Sequence, residues 1–255
     1  LNAFSIEGEY GKESLMEIGS DDLGQVSGSA PLCYYGFIQG PRSNQPSSMQ
    51  GWGFKVPSQG LVNFFNSRGD DKRLKVTILK RGENTPYGNP IIDKCPNPYY
   101  NGKVCTPSTT NTFTNNSYGL DHNMRLLRYA EVLLIYAEAL VEGATGNFQS
   151  GMSADAALNK VRERVGLSAV SATRESIWEE RRAELAMEDD RFFDLVRWGV
   201  ARETMNAFLD KEQDNRVYYK GSNFISGRDE YLPIPLAQYN FSEGRYVQNP
   251  GYGAF

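Results

Sequence analysis

The apolar residues of the C-terminal half recur with the period of an α-helix, and this periodicity limits the fold more than any other feature of the sequence. In "DHNMRLLRYAEVLLIYAEALVEG", residues 121–143, they follow the i, i+3, i+4, i+7 pattern of a half-buried helix. Asp121 suits an N-cap and Gly143 suits a stop. We therefore predict a helix over this stretch.

A second helix follows in "SADAALNKVRERVG", which Ser153 or Asp155 begins and Gly166 ends. The small residues Ala130 and Ala137 of the first helix lie nearly above one another and allow the second helix to approach closely. The pair resembles a tetratricopeptide-type helical hairpin. Because one hairpin cannot cover its own apolar face, we expect neighbouring elements from elsewhere in the chain.

The stretch "IWEERRAELAMEDDRFFDLVRWG" predicts two further helices, with Ser171 or Thr173 capping the first and Gly199 ending the second. Trp178 and Trp198 fit the apolar periodicity and are expected in the core. Charged residues three or four positions apart form a ridge, which comprises Arg181, Glu184, Glu188, Arg191, Asp194 and Arg197. Since acids and bases are interspersed, we expect the ridge to balance its own charge and to be structural rather than catalytic.

Residues 1–120 differ in composition, being rich in Gly, Pro, Ser, Asn and aromatic residues. Short runs such as "SLMEIGS" and "RLKVTILK" are typical of strands, and long stretches between them are typical of loops. Long loops often carry binding functions. The sequence predicts a mainly α fold with a few short strands: a loop-rich ligand-binding region over residues 1–120 and a helical region over residues 121–255 of the same domain.

Charge and hydropathy exclude two classes of partner. The 255 residues include 27 basic and 31 acidic side chains, giving a net charge of -4 without a basic block, so nucleic acid is not an expected partner. The longest strongly apolar run, residues 132–135, is too short to cross a bilayer.

The first residues lack the pattern of a signal peptide, and we expect the chain to be a mature or truncated piece.

The chain has three cysteines, of which Cys95 and Cys105 bracket the turn-rich segment "CPNPYYNGKVC". A disulfide between these two would contribute roughly 2 to 3 kcal/mol by the chain-entropy model and would indicate an oxidising compartment. Three ordinary buried thiols, Cys33 included, fit the sequence equally well.

Motifs for catalysis are missing from the sequence. The single histidine, His122, has no Glu three residues before it, and there is no G-x-S-x-G elbow, P-loop or complete G-x-G-x-x-G. Acidic pairs suited to glycoside hydrolysis are easy to imagine among 31 acids and therefore carry little information. We predict a protein that is not an enzyme and that needs no cofactor and no metal.

Four blocks in order, "RLLRYAEVLLIYAEAL", "ALNKVRERVGL", "IWEERRAELAMEDDRFFDLVRWG" and "YLPIPLAQYNFSEGRYVQNPGY", resemble the C-terminal half of the SusD/RagB family of nutrient-binding proteins of Bacteroidetes. The segment "GWGFKVPSQGLVNFFNSRGDDKRL" resembles the preceding part of the family more weakly. The resemblance implies a surface-exposed outer-membrane lipoprotein, anchored by an N-terminal lipid that this chain lacks. It further implies capture of a glycan or other nutrient and delivery to a SusC-like, TonB-dependent transporter.

Sugar rings stack their C–H faces on aromatic side chains, while polar groups bind their hydroxyls. Two loop segments have this composition, and they supply the candidate ligand-binding residues Tyr34, Tyr35, Phe37, Arg42, Asn44, Trp52, Tyr99 and Tyr100. The competing interpretation places these rings in a small core beneath the loops. Two other functions also remain open, a tetratricopeptide-like adaptor that binds proteins and a glycan-processing enzyme.

Overall fold

The computed structural model describes residues 2–20, 34–42, 51–92, 94–107, 122–145, 151–211 and 223–254. These ranges contain nine α-helices: α1 (Tyr34–Gln39), α2 (Gln59–Ser67), α3 (Asp71–Thr77), α4 (Tyr129–Val141), α5 (Ala154–Val165), α6 (Arg174–Glu184), α7 (Arg191–Arg197), α8 (Ala201–Lys211) and α9 (Leu236–Phe241). They also contain four short strands: β1 (Ser14–Ile18), β2 (Ile78–Lys80), β3 (Tyr99–Asn101) and β4 (Met124–Arg128). The prediction of a mainly α fold with few short strands is confirmed. No helix within these ranges is long and apolar enough to cross a membrane.

The chain forms two compact units, residues Leu1–Asp189 and Asp190–Phe255. The first unit contains every strand and the helices α1 to α6, and the second contains α7, α8 and α9. The sequence predicts a division between residues 120 and 121 into a ligand-binding region and a helical region. That division is of another kind and stays a prediction.

Two antiparallel sheets of two strands each lie in the first unit. Strand β1 pairs with β4, with Glu17 opposite Arg125 and Ile18 opposite Met124, and β2 pairs with β3, with Leu79 opposite Tyr100. The prediction of a strand in "SLMEIGS" is confirmed by β1.

The predicted helix over residues 121–143 begins later than expected, because residues 124–128 form β4. Helical periodicity alone could not show that this segment pairs with β1, more than a hundred residues earlier in the chain. The helix itself, α4, begins at Tyr129 and ends two residues before Gly143. Tertiary pairing thus overrode the local helical preference.

The N-terminal half is more helical than its composition indicated. "RLKVTILK" is a strand only at its end, because Asp70 caps α3 by accepting a hydrogen bond from the backbone N–H of Arg73. Ser58 caps α2 in the same way by accepting from Leu61. Both caps are short polar side chains, which is the residue type preferred at the start of a helix.

Helices α4, α5 and α6 share one apolar core. Its buried residues are Ala130, Leu133, Leu134, Ala137, Ala157, Leu158, Val161 and Ile177. Ala130 and Ala137 are almost completely buried, as expected for the small residues that let α5 approach. The two helices pack together as predicted, while the likeness to a tetratricopeptide hairpin stays a prediction.

Helix caps in this core follow the sequence closely. Ser153 caps α5 by accepting a hydrogen bond from Ala156, and Gly166 ends it in the left-handed conformation with a φ of 82°. Thr173 and Ser176 form a capping box at the start of α6. These helix boundaries were predicted correctly because each depends on residues within one turn of the helix end.

Two proline-containing turns of the second unit bind each other. The side chain of Gln248 accepts a hydrogen bond from Ile234 N at 2.8 Å and donates to Ile234 O at 3.0 Å. Asn249 donates to the carbonyl of Leu232 at 2.6 Å. These bonds join the two turns to each other.

We expect Leu134→Ala to lower the free energy of unfolding by about 2 to 5 kcal/mol, since Leu134 is fully buried and the truncation leaves a cavity. Urea unfolding followed by circular dichroism measures the change. The matched control is Ile135→Ala on the same helix, which is 47% exposed and should cost much less. Equal losses for the two variants would contradict the assigned core.

Candidate functional site

Helix α1 and the segment after residue 50 are held together by backbone hydrogen bonds. Gly53 N donates to Gly40 O at 2.9 Å, and Phe54 N donates to Ile38 O at 2.9 Å. A Cβ atom on Gly51 would lie 2.4 Å from the carbonyl oxygen of Phe37, so only glycine permits this close approach. The rings of residues 52 and 54 are thereby brought beside the rings of α1.

Four aromatic side chains from these two segments, Tyr34, Phe37, Trp52 and Phe54, form a cluster that we call the aromatic cluster. Ring centroids of Tyr34 and Trp52 are 6.4 Å apart, those of Phe37 and Trp52 are 6.1 Å apart, and those of Trp52 and Phe54 are 5.8 Å apart, all edge to face. Such pairs stabilise one another beyond simple burial. The rings are therefore fixed by mutual contact.

Three rings of the aromatic cluster face solvent. Tyr34 is 50% exposed, Trp52 is 43% exposed and Phe54 is 51% exposed. Exposed large apolar side chains that lie together on a surface mark binding sites more often than isolated ones do. The cluster is the feature of the described residues that best matches the predicted ligand-binding surface.

Not all predicted ligand residues lie in this surface. Phe37 is only 3% exposed and Tyr100 is fully buried, so neither ring presents a face to solvent. Tyr99 packs against the core around Phe65, and its hydroxyl donates a hydrogen bond to Gln59 at 2.8 Å. Arg42 is exposed and lies beside Gly53. Asn44 lies outside the described residues.

The segment around β3 forms hydrogen bonds with both segments that carry the aromatic cluster. Asn97 donates its side-chain amide to Gly53 O at 3.1 Å, and its backbone N–H donates to the hydroxyl of Tyr100 at 3.2 Å. Asn101 donates to the side chain of Gln39 at 2.8 Å. These amides link β3 and the residues just before it to both segments that carry the exposed rings.

Cys95 and Cys105 are thiols and form no disulfide in the structure. Both contribute to the apolar cluster of Leu79, Ile91 and Tyr100. Burial raises the pKa of the Cys105 thiol to about 12, which keeps it protonated and unreactive at neutral pH. Of the two interpretations that the sequence left open, buried thiols fit; Cys33 lies outside the described residues.

Lys55, Met187 and Asp189 meet around Tyr35, which directly follows Tyr34 of the aromatic cluster, and the sequence did not indicate these contacts. Lys55 donates to the hydroxyl of Tyr35 at 2.7 Å and forms an ion pair with Asp189. The Tyr35 hydroxyl also lies 3.3 Å from the carbonyl oxygen of Met187. Burial and the nearby Asp189 raise the pKa of Tyr35 well above its usual range. No local sequence pattern marks these contacts, since they join three distant segments.

Glu184 and Glu188 of the predicted ridge, together with the nearby Glu180, form an ion-pair network with cations from other elements. Arg128 binds Glu188 at 2.7 Å and Glu184 at 3.1 Å, and Lys103 binds Glu188 at 2.6 Å. Arg73 binds Glu180 at 2.8 Å. The interpretation of these acids as structural agrees with this geometry. The expectation that the ridge balances its own charge was wrong for Glu184 and Glu188, whose partners lie on other elements.

The ridge is also interrupted, because α6 ends at Glu184 and α7 begins at Arg191. Met187 and Asp189 in the intervening turn have φ values of 69° and 80°. Arg191 and Arg197 both approach Trp198 instead, and Arg197 pairs with Asp194 at 2.9 Å. One pattern of charges therefore serves two separate structural roles.

Glu184 borders a cavity of about 750 Å³ that is also lined by Phe4, Arg73, Lys103 and Arg164. Burial opposes ionisation of this carboxyl, but the neighbouring Arg128, Arg164, Lys103 and Arg73 outweigh it and lower its pKa to about 2. Both oxygens of Glu184 bind arginine side chains. Within the described residues, no group of His, Cys, Asp or Glu is arranged to hold a metal ion.

His122 is buried and lies just before β4 rather than at the edge of a helix. Its Nε2 atom is 2.9 Å from the carbonyl oxygen of Phe4 and 2.9 Å from Arg125 Nη1. Burial and the Arg125 charge lower its pKa to about 4, so the ring is neutral at pH 7. Its neighbours give it a structural role.

The sequence model of the SusD family matches residues 12–252. SusD-like protein P2 of Formosa agariphila is 29% identical over 267 residues, covering 94% of this chain and 48% of that protein. A SusD-like protein of Bacteroides ovatus is 28% identical over 156 residues, covering 50% of this chain and 28% of that protein. The chain thus spans about half the length of P2.

Solved structures agree with the sequence matches. A laminarin-binding SusD-like protein is 28% identical and has a TM-score of 0.73, with 98% of this chain and 52% of that chain covered. Surface glycan-binding protein A of Bacteroides thetaiotaomicron, solved with laminarihexaose, shares the fold at 23% identity with a TM-score of 0.71, covering 97% and 54% of the two chains. The fold is that of these SusD-like structures, and the chain belongs to the SusD family.

We expect Glu184→Gln to lower the free energy of unfolding at pH 7 by about 3 to 5 kcal/mol, because it leaves buried arginines without their carboxylate. The pKa of Glu184 is lowered from an ordinary 4.5 to about 2, so its contribution is complete above pH 4.5 and is lost as the pH falls towards 2. The variant should therefore show a smaller loss of stability than the wild type over this range.

Urea unfolding at pH 7, 4.5 and 3 measures both effects. Glu179→Gln is the matched control, since Glu179 is 63% exposed and pairs only at the surface with Arg68; it should change the free energy of unfolding by about 1 kcal/mol or less. Equal stability of the two variants at pH 7 would contradict the structural role of the network.

Proposed function

We propose that this protein binds a glycan without altering it chemically, and that the exposed rings of the aromatic cluster make the main contact. The observation that carries this proposal is the exposure of Tyr34, Trp52 and Phe54 on one surface with their rings fixed by mutual contact. A rigid ring loses little conformational entropy when a ligand stacks on it. Arg42 beside the cluster offers donors for sugar hydroxyls.

Similarity to proteins of known ligand supports the same proposal. The names of two of the similar structures mention laminarin and laminarihexaose. We propose that a glycan of this kind is a ligand of the present chain and use laminarihexaose as the first probe. The tetratricopeptide-like adaptor is not favoured by these comparisons.

Binding without catalysis is supported by the state of the acidic residues. Glu180, Glu184 and Glu188 are all engaged by buried arginine or lysine side chains. A general acid requires a raised pKa, whereas Glu184 and Glu188 have lowered pKa values. Ionised and fully paired carboxylates of this kind support a structural role for these residues.

We further propose that the full protein is held at the outer-membrane surface by a lipid anchor and delivers its ligand to a SusC-like, TonB-dependent transporter. This role rests on family membership. Co-purification with such a transporter from detergent-solubilised outer membranes tests it, and a protein found only in the periplasm would contradict it.

We expect the wild-type chain to bind laminarihexaose and Trp52→Ala to weaken the Kd about tenfold or more, equivalent to about 1.4 kcal/mol. Trp52 touches three other rings of the cluster, so its loss removes the centre of the surface. Isothermal titration calorimetry measures the Kd.

Phe241→Ala is the control, because Phe241 is an exposed ring in the other compact unit. A Kd unchanged by Trp52→Ala would refute the assigned surface. Failure of a panel of neutral and acidic oligosaccharides to bind would refute glycan binding itself. Reducing ends released from the probe, and lost on substitution of one carboxylate, would show an enzyme instead.

A further inference from the structure

Three residues with an unusual backbone conformation meet at the side chain of Tyr35. Among the described residues, five other than glycine have a positive φ, and three of these are Lys55 at 48°, Met187 at 69° and Asp189 at 80°. Residues other than glycine adopt this region at a cost, and they keep it only where surrounding contacts enforce it. Because three of the five residues lie around one side chain, we infer that the contacts of Tyr35 require these backbone conformations.

Tyr35 and Lys55 join these three residues through direct contacts. The Lys55 ammonium donates to the Tyr35 hydroxyl at 2.7 Å, lies 4.7 Å from the centroid of the Tyr35 ring and pairs with Asp189. The Tyr35 hydroxyl in turn lies within hydrogen-bond distance of Met187 O. One lysine therefore ties α1, the segment of residues 51–55 and the turn after α6 together.

Two of these segments carry the exposed rings. Lys55 directly follows Phe54, and Tyr35 directly follows Tyr34. A shift of either backbone would move a ring that faces solvent. The ring contacts within the aromatic cluster set the rings relative to each other, whereas the lysine contacts set both ring-bearing segments relative to the rigid turn after α6.

We propose that Lys55 is a positioning residue for ligand binding, which holds the exposed rings in their binding geometry through Tyr35 and Asp189. The inference rests on the proposed glycan-binding function for its effect on affinity. The Lys55 side chain is 30% exposed and that of Asp189 is 49% exposed, so a partly exposed ion pair of this kind contributes little to global stability. Its effect is local.

The test uses Lys55→Met, which keeps the length of the side chain and removes the charge and the donor. We expect the Kd for laminarihexaose to weaken about fivefold, with an unfolding midpoint close to that of the control. Lys80→Met is the matched control in the same compact unit, because Lys80 forms an exposed ion pair with Glu83. Unchanged affinity in Lys55→Met would overturn the proposal.

A second measurement is independent of any ligand. The protein labelled with 5-fluorotryptophan contains three tryptophans, and Trp52→Phe identifies the resonance of Trp52 in the 19F spectrum. We expect this resonance to shift or broaden in Lys55→Met and to stay unchanged in Lys80→Met. A resonance identical to wild type in both variants would overturn the positioning role even if no sugar binds, which separates this inference from the proposed function.

Two more variants distinguish an effect of the Lys55 ammonium group from an effect of backbone strain or of misfolding. Lys55→Gly accepts a positive φ without strain but loses the ammonium group, so it should displace the Trp52 resonance as Lys55→Met does. Asp189→Asn tolerates the left-handed conformation and removes only the charge, and it should give a smaller change of the same kind. A Trp52 resonance like that of wild type in Lys55→Gly would show that the ammonium group does not position the rings.

Discussion

The buried carboxylate of Glu184 is the group on which the first compact unit depends. It lies at the end of α6 and binds Arg73 of α3, Arg128 of β4 and Arg164 of α5. Burial of so many charged groups is compatible with a stable fold only when each group is paired. A buried charge without a partner lowers the free energy of unfolding far more than a charge at the surface does. The network thereby requires that these elements meet in one arrangement.

The same network reaches the candidate binding surface through a short path of contacts. Lys103, just after β3, donates to Glu184 O and pairs with Glu188. Glu188 is followed by Asp189, which pairs with Lys55 next to the exposed rings. A fixed ionic centre and a surface of exposed rings are thus parts of one framework, which explains how loop residues acquire a defined geometry.

Local signals in the sequence were read correctly where they depend on neighbours a turn away. Ser153, Gly166 and Thr173 were recognised as helix ends from their own side chains or lack of one. The strand β4 was misread as helix because its partner β1 lies far away in the chain. The aromatic composition around Trp52 pointed to the surface that we propose for binding, yet it did not distinguish exposed rings from buried Phe37 and Tyr100.

By itself the sequence determined the helical class, both ends of α5, the start of α6 and the family, because periodicity, caps and ordered motifs depend on residues close together in the chain. Only the tertiary structure decided which acids find which cations, which rings remain exposed and that Lys55 meets Tyr35 and Asp189. The physical reason is that burial and ion pairing depend on atoms brought together from distant segments, and their pairing leaves no local pattern in the order of residues.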